Sequence, residues 1–266
     1  MSGKRLTQHT EMGDSDHHFP AAVSPERWRE AQQWELAFWN RQNLPSPFWK
    51  RLIRPLLVVL GLRAQVSKTK TYDDRNEWWR KQFDNYSFLP PSSDNVCELG
   101  CGPYTNMRLI LEGMQAKHVH CSDPLARSYM SYPNAWLGAA ARAARVCVDY
   151  HPAEECPYAS DYFDLVVMIN VLDHVRDARR CLEHAIRITR TGGLLLFGQD
   201  LTLATDEQPG NPGHPFILNH QQLEPVLLSR FKPVLKRIVP RAEVSEPEMH
   251  YGALVFAGRK LSADHL

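Results

Sequence analysis

The sequence predicts an α/β protein: a doubly wound, seven-stranded, mostly parallel sheet with an N-terminal helical cap. Three observations carry that expectation. From Val96 onward, short apolar runs alternate with amphipathic stretches, the pattern of a sheet covered by helices on both faces. Phe163-Asp164-Leu165-Val166-Val167-Met168-Ile169-Asn170 is apolar almost without interruption, as in a central parallel strand buried on both sides. Val96-Cys97-Glu98-Leu99 runs straight into Gly100-Cys101-Gly102, a strand ending in a glycine bend that opens a helix. Glycine tolerates unusual φ/ψ and carries no Cβ to hold a ligand off the backbone. Such a bend offers free N–H groups and a positive helix end to something polar. By itself it also reads as an ordinary strand-to-helix turn.

Taken in order, residues 1–20 form a polar lead rich in His and Asp, without signal-peptide character, expected to be disordered. Residues 21–91 are expected to cap the domain. Ser24-Pro25-Glu26 is a helix start, and Trp28, Ala31, Trp34 and Phe38 recur at helical spacing. Between residues 47 and 62, basic and bulky apolar residues interleave around Pro55. That stretch reads as a hairpin-like cap, with contact to a membrane surface as the lesser reading. Asp73 and Asp74 open another helix, with Trp78, Trp79, Phe83 and Tyr86 on its apolar side.

Pro90-Pro91 ends the cap, and residues 92–266 form the sheet domain. Strands are expected near 96–100, 118–122, 145–149, 163–169, 193–199, 233–239 and 251–258. Helices are expected near 104–115, 125–143, 175–190 and 219–230. The 175–190 helix is the clearest, with Val175, Ala178, Leu182, Ala185 and Ile188 on one face and Gly192 just past its end.

Bulk properties narrow the function. With 266 residues, 43% hydrophobic and 23% charged, the chain can build a sizeable core. A formal net charge of +1 gives no field to draw nucleic acid. The six cysteines lack CxxC pairs and read as reduced, buried thiols. The twelve histidines form no HExxH-type cluster, so no metal site is expected. Leu56–Leu62, the longest apolar run, falls far short of the ~20 residues of a membrane span. A soluble, cytoplasmic protein is expected, and no motif speaks to its oligomeric state.

Three features join the bend. Asp123 stands at the end of the second strand, about 20 residues past the glycines, placed to accept hydrogen bonds from ribose hydroxyls. Ahead of Pro124 it also reads as a helix cap; coupled to the bend, the ribose role is favoured. Asn170 to Val175 brings polar groups to the carboxyl edge of the central strand, where open α/β sheets bind ligands. Thr191-Gly192-Gly193 then leads into the fifth strand.

In this order the motifs resemble those of the class I S-adenosylmethionine-dependent methyltransferases, in particular the small-molecule group called type 11, with a Rossmann-like sheet. Glu98, Gly100 and Gly102 match the first motif, and Tyr104 replaces its third glycine. Asp123 matches the ribose acid, Phe163 to Val175 the fourth-strand motif, Gly192 to Leu195 the fifth strand, and Tyr251 to Phe256 the antiparallel last strand. The resemblance spans roughly 72–260. It implies that Gly100, Cys101 and Gly102 hold the methionine part of S-adenosylmethionine, that Glu98 orders the loop, and that Asp123 and Pro124 meet the ribose. It further implies that Asn170 closes the other wall and that Ala153 or Glu154 meets adenine, where Pro152 replaces the usual acid.

Trp28, Trp34, Trp39, Trp49, Trp78 and Trp79 suggest a small-molecule acceptor, sugar-like or apolar, expected to be methylated on oxygen or nitrogen. A hydroxyl nucleophile gains from a base near neutral pKa, which makes His174 the first catalytic candidate. His214, in the loop Pro209–Pro215 after the fifth strand, is the second. His174 also reads as a solvent-facing histidine at a helix start. The alternatives are a membrane-edge enzyme acting on a lipid or isoprenoid, and a cofactor-binding scaffold without turnover.

Overall fold

The computed structural model describes residues 19–44, 73–133, 135–202, 212–245, 247 and 250–262. The lead up to residue 18 and the 47–62 stretch, with Trp49, lie outside them. Seven strands form one sheet: β1 (Ser92–Leu99), β2 (Gln115–Ser122), β3 (Cys147–Asp149), β4 (Phe163–Ile169), β5 (Thr189–Leu201), β6 (Phe231–Pro240) and β7 (Gly252–Lys260). Their order is β3-β2-β1-β4-β5-β7-β6. All pairings are parallel except those of β7, which runs antiparallel to β5 and β6. Chain order reverses between β1 and β4, so their carboxyl ends flank the crevice where open α/β sheets take ligands.

Alternation along β4 explains the two cores. Leu165, Val167 and Ile169 join Val96, Leu196 and Val255 on one face. Val166 and Met168 join Cys97, Leu195, Phe197 and Phe256 on the other. On that second face packs α6 (Ala178–Ile188), with Ala178, Cys181, Leu182, Ala185 and Ile188 all buried. Burial of each large aliphatic side chain is worth roughly 1.5–3 kcal/mol. The helix starts at the cap Asp177, whose carboxylate accepts from the Arg180 N–H at 3.0 Å.

Four further helices flank the sheet: α3 (Met107–Gly113), α4 (Ala126–Tyr129), α5 (Trp136–Arg142) and α7 (His220–Arg230). The single helix expected over 125–143 is split into α4 and α5. Pro133 lies between them, and a proline there removes a helical N–H donor and clashes with the preceding turn. Gly138 then lets α5 lie against the turn: a Cβ there would stand 2.3 Å from the Met130 carbonyl oxygen.

Ahead of the sheet lie α1 (Pro25–Asn43) and α2 (Asp73–Gln82). Trp79 and Phe83 are fully buried in the first core, and the Trp79 ring fits against β5 only because residue 198 is glycine. α2, ahead of the expected 91/92 division, shares the core of the sheet. Trp79 is a core residue and not an acceptor-facing aromatic, because an indole this deeply packed is spent on the sheet. Five cysteines are buried and Cys147, on the edge strand β3, is exposed; all six are free thiols. Among the described residues, no helix is long and apolar enough to cross a membrane.

Candidate active site

The bend after β1 is held from below. Glu98 is buried, and its carboxylate accepts from the Asn106 N–H and Nδ2 at 3.0 Å each, from the Met107 N–H at 3.1 Å and from the Thr105 hydroxyl. It ties the start of α3 to the end of β1. Burial pushes this carboxyl up, against the pull of those four donors. Above it, Gly100 and Gly102 adopt φ of +66° and +55°. At Gly100 a Cβ would stand 2.6 Å from Val171 Cγ2. At Gly102 a Cβ would meet nothing within 4 Å, so the backbone there faces open space. Cys101 is buried, and its N–H donates to the Ser122 carbonyl at 3.0 Å.

Asp123 stands beside that face, directly after β2. One carboxylate oxygen accepts from the Gly102 N–H at 3.0 Å and the other from the Leu125 N–H at 2.8 Å. Burial, reinforced by the charge of Glu35, pushes its carboxyl up to about 7. Pro124 follows, half-buried. Asn170 sits at the end of β4 with φ +57°, its side-chain oxygen accepting from the Asp200 N–H at 3.2 Å.

A roof crosses both strand ends. Along α1, Glu35, Trp39 and Asn43 recur at every fourth position and look down on the site. Glu35 Oε1 accepts from Trp39 Nε1 and from the Tyr129 hydroxyl, each at 3.3 Å. The Tyr132 hydroxyl donates to Asn40 Oδ1 at 2.9 Å, the Tyr104 hydroxyl donates to Asn43, and the Trp39 ring stands edge-on to Tyr104 at 5.8 Å. At its other end α1 holds the loop after β5. Arg27 donates to the Pro212 carbonyl at 2.6 Å, and Trp34, stacked on Phe38, covers Gly213 so closely that a Cβ there would stand 2.6 Å from its ring.

Under that roof three side chains converge. Asp173 Oδ2 lies 3.8 Å from His174 Nε2 and 3.8 Å from His214 Nδ1, and the imidazole centroids are 4.5 Å apart. His174 Nδ1 donates to the Gly213 carbonyl at 3.1 Å and lies 3.9 Å from Glu35 Oε2. Gln199 donates to Asp173 Oδ1 at 2.9 Å and accepts from the Leu172 N–H at 3.1 Å. For Asp173, burial works upward, but the two imidazoles outweigh it and hold its carboxyl below the usual carboxylate range. For His174, burial works downward, yet Asp173 and Glu35 raise it above the usual histidine value. Burial and the neighbouring His174 charge press His214 down to about 4. Near neutral pH the cluster therefore holds an Asp173 carboxylate and a neutral His214.

A model of the methyltransferase domain matches residues 72–224, more than half of the chain. This chain belongs to the methyltransferase domain family. Two probable S-adenosylmethionine-dependent methyltransferases of Mycobacterium tuberculosis strains are 27% identical over 164 residues, which is 59% of this chain and 56% of theirs. The chain thus spans just over half the length of these curated relatives. Solved structures share the fold. The 4+2 cyclase SpnF superposes with a TM-score of 0.57 at 13% identity, covering 92% of this chain and 98% of that one. The N-methyltransferase NodS of Bradyrhizobium japonicum gives 0.51 at 18%, covering 73% and 99%. A Burkholderia thailandensis 1,6-didemethyltoxoflavin-N1-methyltransferase, solved with bound 1,6-didemethyltoxoflavin and S-adenosylhomocysteine, gives 0.51 at 17%, covering 83% and 94%.

The curated relatives are named for their dependence on S-adenosylmethionine. The residues at the bend fit that cofactor: an open face at Gly102 beside a buried carboxylate at Asp123 suits a zwitterionic tail joined to a ribose. Glu98, Gly100, Cys101, Gly102, Asp123, Pro124 and Asn170 lie along the carboxyl edge of β1, β2 and β4. Glu154 is turned elsewhere. It is buried in the turn 153–155 beside Ala153, and its oxygens accept from the Arg176 N–H at 2.8 Å and the Cys181 thiol at 3.3 Å. Its carboxylate ties that turn to α6. His174 and His214, far apart in the chain, meet. Glu35, Tyr129 and Tyr132 carried no expected role, Tyr104 was noted only at the third glycine position and Asp173 only within the 170–175 edge; the fourfold spacing of Glu35, Trp39 and Asn43 was the one signal for the roof.

Proposed function

We propose that this chain is a methyltransferase acting on a small-molecule acceptor, at an oxygen or nitrogen atom. The convergence of Asp173, His174 and His214 beside the cofactor edge, under α1, carries this reading. When bound, S-adenosylmethionine supplies a methyl group activated on a sulfonium. Asp123 accepts the ribose hydroxyls, and the open backbone face at Gly102 meets the methionine end. Alignment of nucleophile with methyl and sulfur accounts for most of the acceleration, up to ~7–11 kcal/mol in favourable cases. Residues 173, 174 and 214 orient the acceptor's nucleophile, and a neutral imidazole of the cluster takes its proton as the bond to the methyl group forms and the bond to sulfur breaks. Trp34 and Trp39 give the acceptor an apolar wall and keep water out.

The likeness to a cyclase over nine-tenths of the chain supports a second reading, in which the fold binds the cofactor and performs other chemistry. Calorimetry with S-adenosylhomocysteine, followed by an assay of methyl transfer from labelled cofactor to candidate hydroxyl and amine acceptors, separates the two. Binding with transfer to an acceptor is expected. Binding without transfer to any acceptor favours the second reading, and absence of binding removes both.

A further inference from the structure

We infer that Asp173, His174 and His214 form a binding site for a zinc-class divalent cation. The three donor atoms lie within 4.8 Å of one another, and both Asp173–imidazole separations are 3.8 Å. That distance is too long for a direct hydrogen bond. Bonds of about 2.1 Å to a tetrahedral zinc place donors about 3.4 Å apart, so the short edges need to close by only a few tenths of an ångström. Two imidazole nitrogens and one carboxylate oxygen suit zinc, cobalt or manganese, whereas magnesium prefers oxygen donors.

The groups behind the donors point the same way. The Gly213 carbonyl accepts from His174 Nδ1, so a cation that displaces the Nε2 proton meets that nitrogen facing Asp173. Gln199, itself fixed by the Leu172 N–H, holds Asp173 Oδ1 and leaves Oδ2 to the cluster. A backbone carbonyl on the far nitrogen and an amide on the far oxygen are the outer partners that orient metal ligands. The carboxylates of Glu35 and Asp123 add negative charge nearby. Three protein donors leave positions open on the cation, and these take an acceptor oxygen; this last step rests on the methyl-transfer reading, while the cation site does not.

The test is calorimetric titration of zinc and cobalt into the metal-stripped full chain, with S-adenosylhomocysteine titrated in parallel. The lead carries His9, His17 and His18, so stoichiometry alone decides nothing. One equivalent should bind in the wild type and weaken at least 100-fold in Asp173→Asn and His214→Gln, and 10–100-fold in Gln199→Met. Azide should shift the visible bands of the cobalt form. X-ray absorption of the zinc-loaded wild type should show nitrogen and oxygen scatterers including two imidazoles, a readout that needs no variant to fold. Identical isotherms in wild type and variants, sulfur scatterers, or no binding up to about 1 mM would overturn the cation site. If S-adenosylhomocysteine still binds in that case, the methyl-transfer reading stands; if the cation binds and S-adenosylhomocysteine does not, the site stands without it.

Discussion

The two halves of the site are built differently. On the cofactor side, Glu98 takes all four of its hydrogen bonds from residues 105–107, and Asp123 reaches Gly102 one strand away. On the side of the imidazole pair, most contacts are long-range. His174 meets Gly213 across the β5 loop, Glu35 meets Tyr129, and Arg27 meets Pro212 from the far end of the chain. The first half is carried by one strand–turn–helix unit on the sheet. The second exists only while α1 is docked across two loops. Damage to the roof should therefore disturb catalysis before it disturbs cofactor binding.

Four substitutions sharpen or break that contrast. The largest effect is expected from His214→Ala: turnover falls by roughly 10²–10⁴-fold while affinity for S-adenosylhomocysteine stays the same. A matching loss of affinity would merge the halves. Gly100→Ala should act on both at once, because its Cβ meets Val171 and the residue keeps φ +66°. A loss of about 3 kcal/mol in urea unfolding is expected, together with loss of cofactor binding.

Asp123→Asn should weaken S-adenosylhomocysteine by about 10–100-fold and leave the roof in place. It also has a pH signature. With its folded carboxyl near 7 and its unfolded one near the ordinary aspartate value, the native state holds the extra proton between them. This group therefore makes the free protein less stable as pH rises from about 4 to about 7. Cofactor affinity should rise through the same window as the carboxylate forms, and both slopes should flatten in Asp123→Asn. Paired pH series of melting and calorimetry measure them.

The smallest effect is expected from Glu35→Gln. It retains an acceptor for Trp39 and Tyr129 but removes a charge near His174 and Asp123. A loss of about 1 kcal/mol is expected in thermal melting. Turnover should fall severalfold, and affinity for S-adenosylhomocysteine should rise near pH 7 because Asp123 ionises more easily. No change in either would detach α1 from the site.

Much of the sheet was legible in the chain. The run 163–170 could be read as a buried strand because a parallel strand covered on both faces needs apolar residues at nearly every position. The bend at 98–102 and the acid at 123 could be read because backbone conformation and strand length set their spacing. The break between α4 and α5 was missed, since Pro133 lies within an otherwise helical pattern. The role of Glu154 was missed as well: an acid beside Pro152 carries no mark of the neighbour it turns toward.

By itself, then, the sequence determined the strand pattern, the glycine bend and the carboxylate beside it, because each follows from short-range backbone geometry and from which side chains avoid water. Only the tertiary structure decided that Asp173, His174 and His214 form one cluster and that Glu35 lies above it. Those contacts join segments whose separation along the chain carries no periodicity, and folding alone brings them within 4 Å of one another.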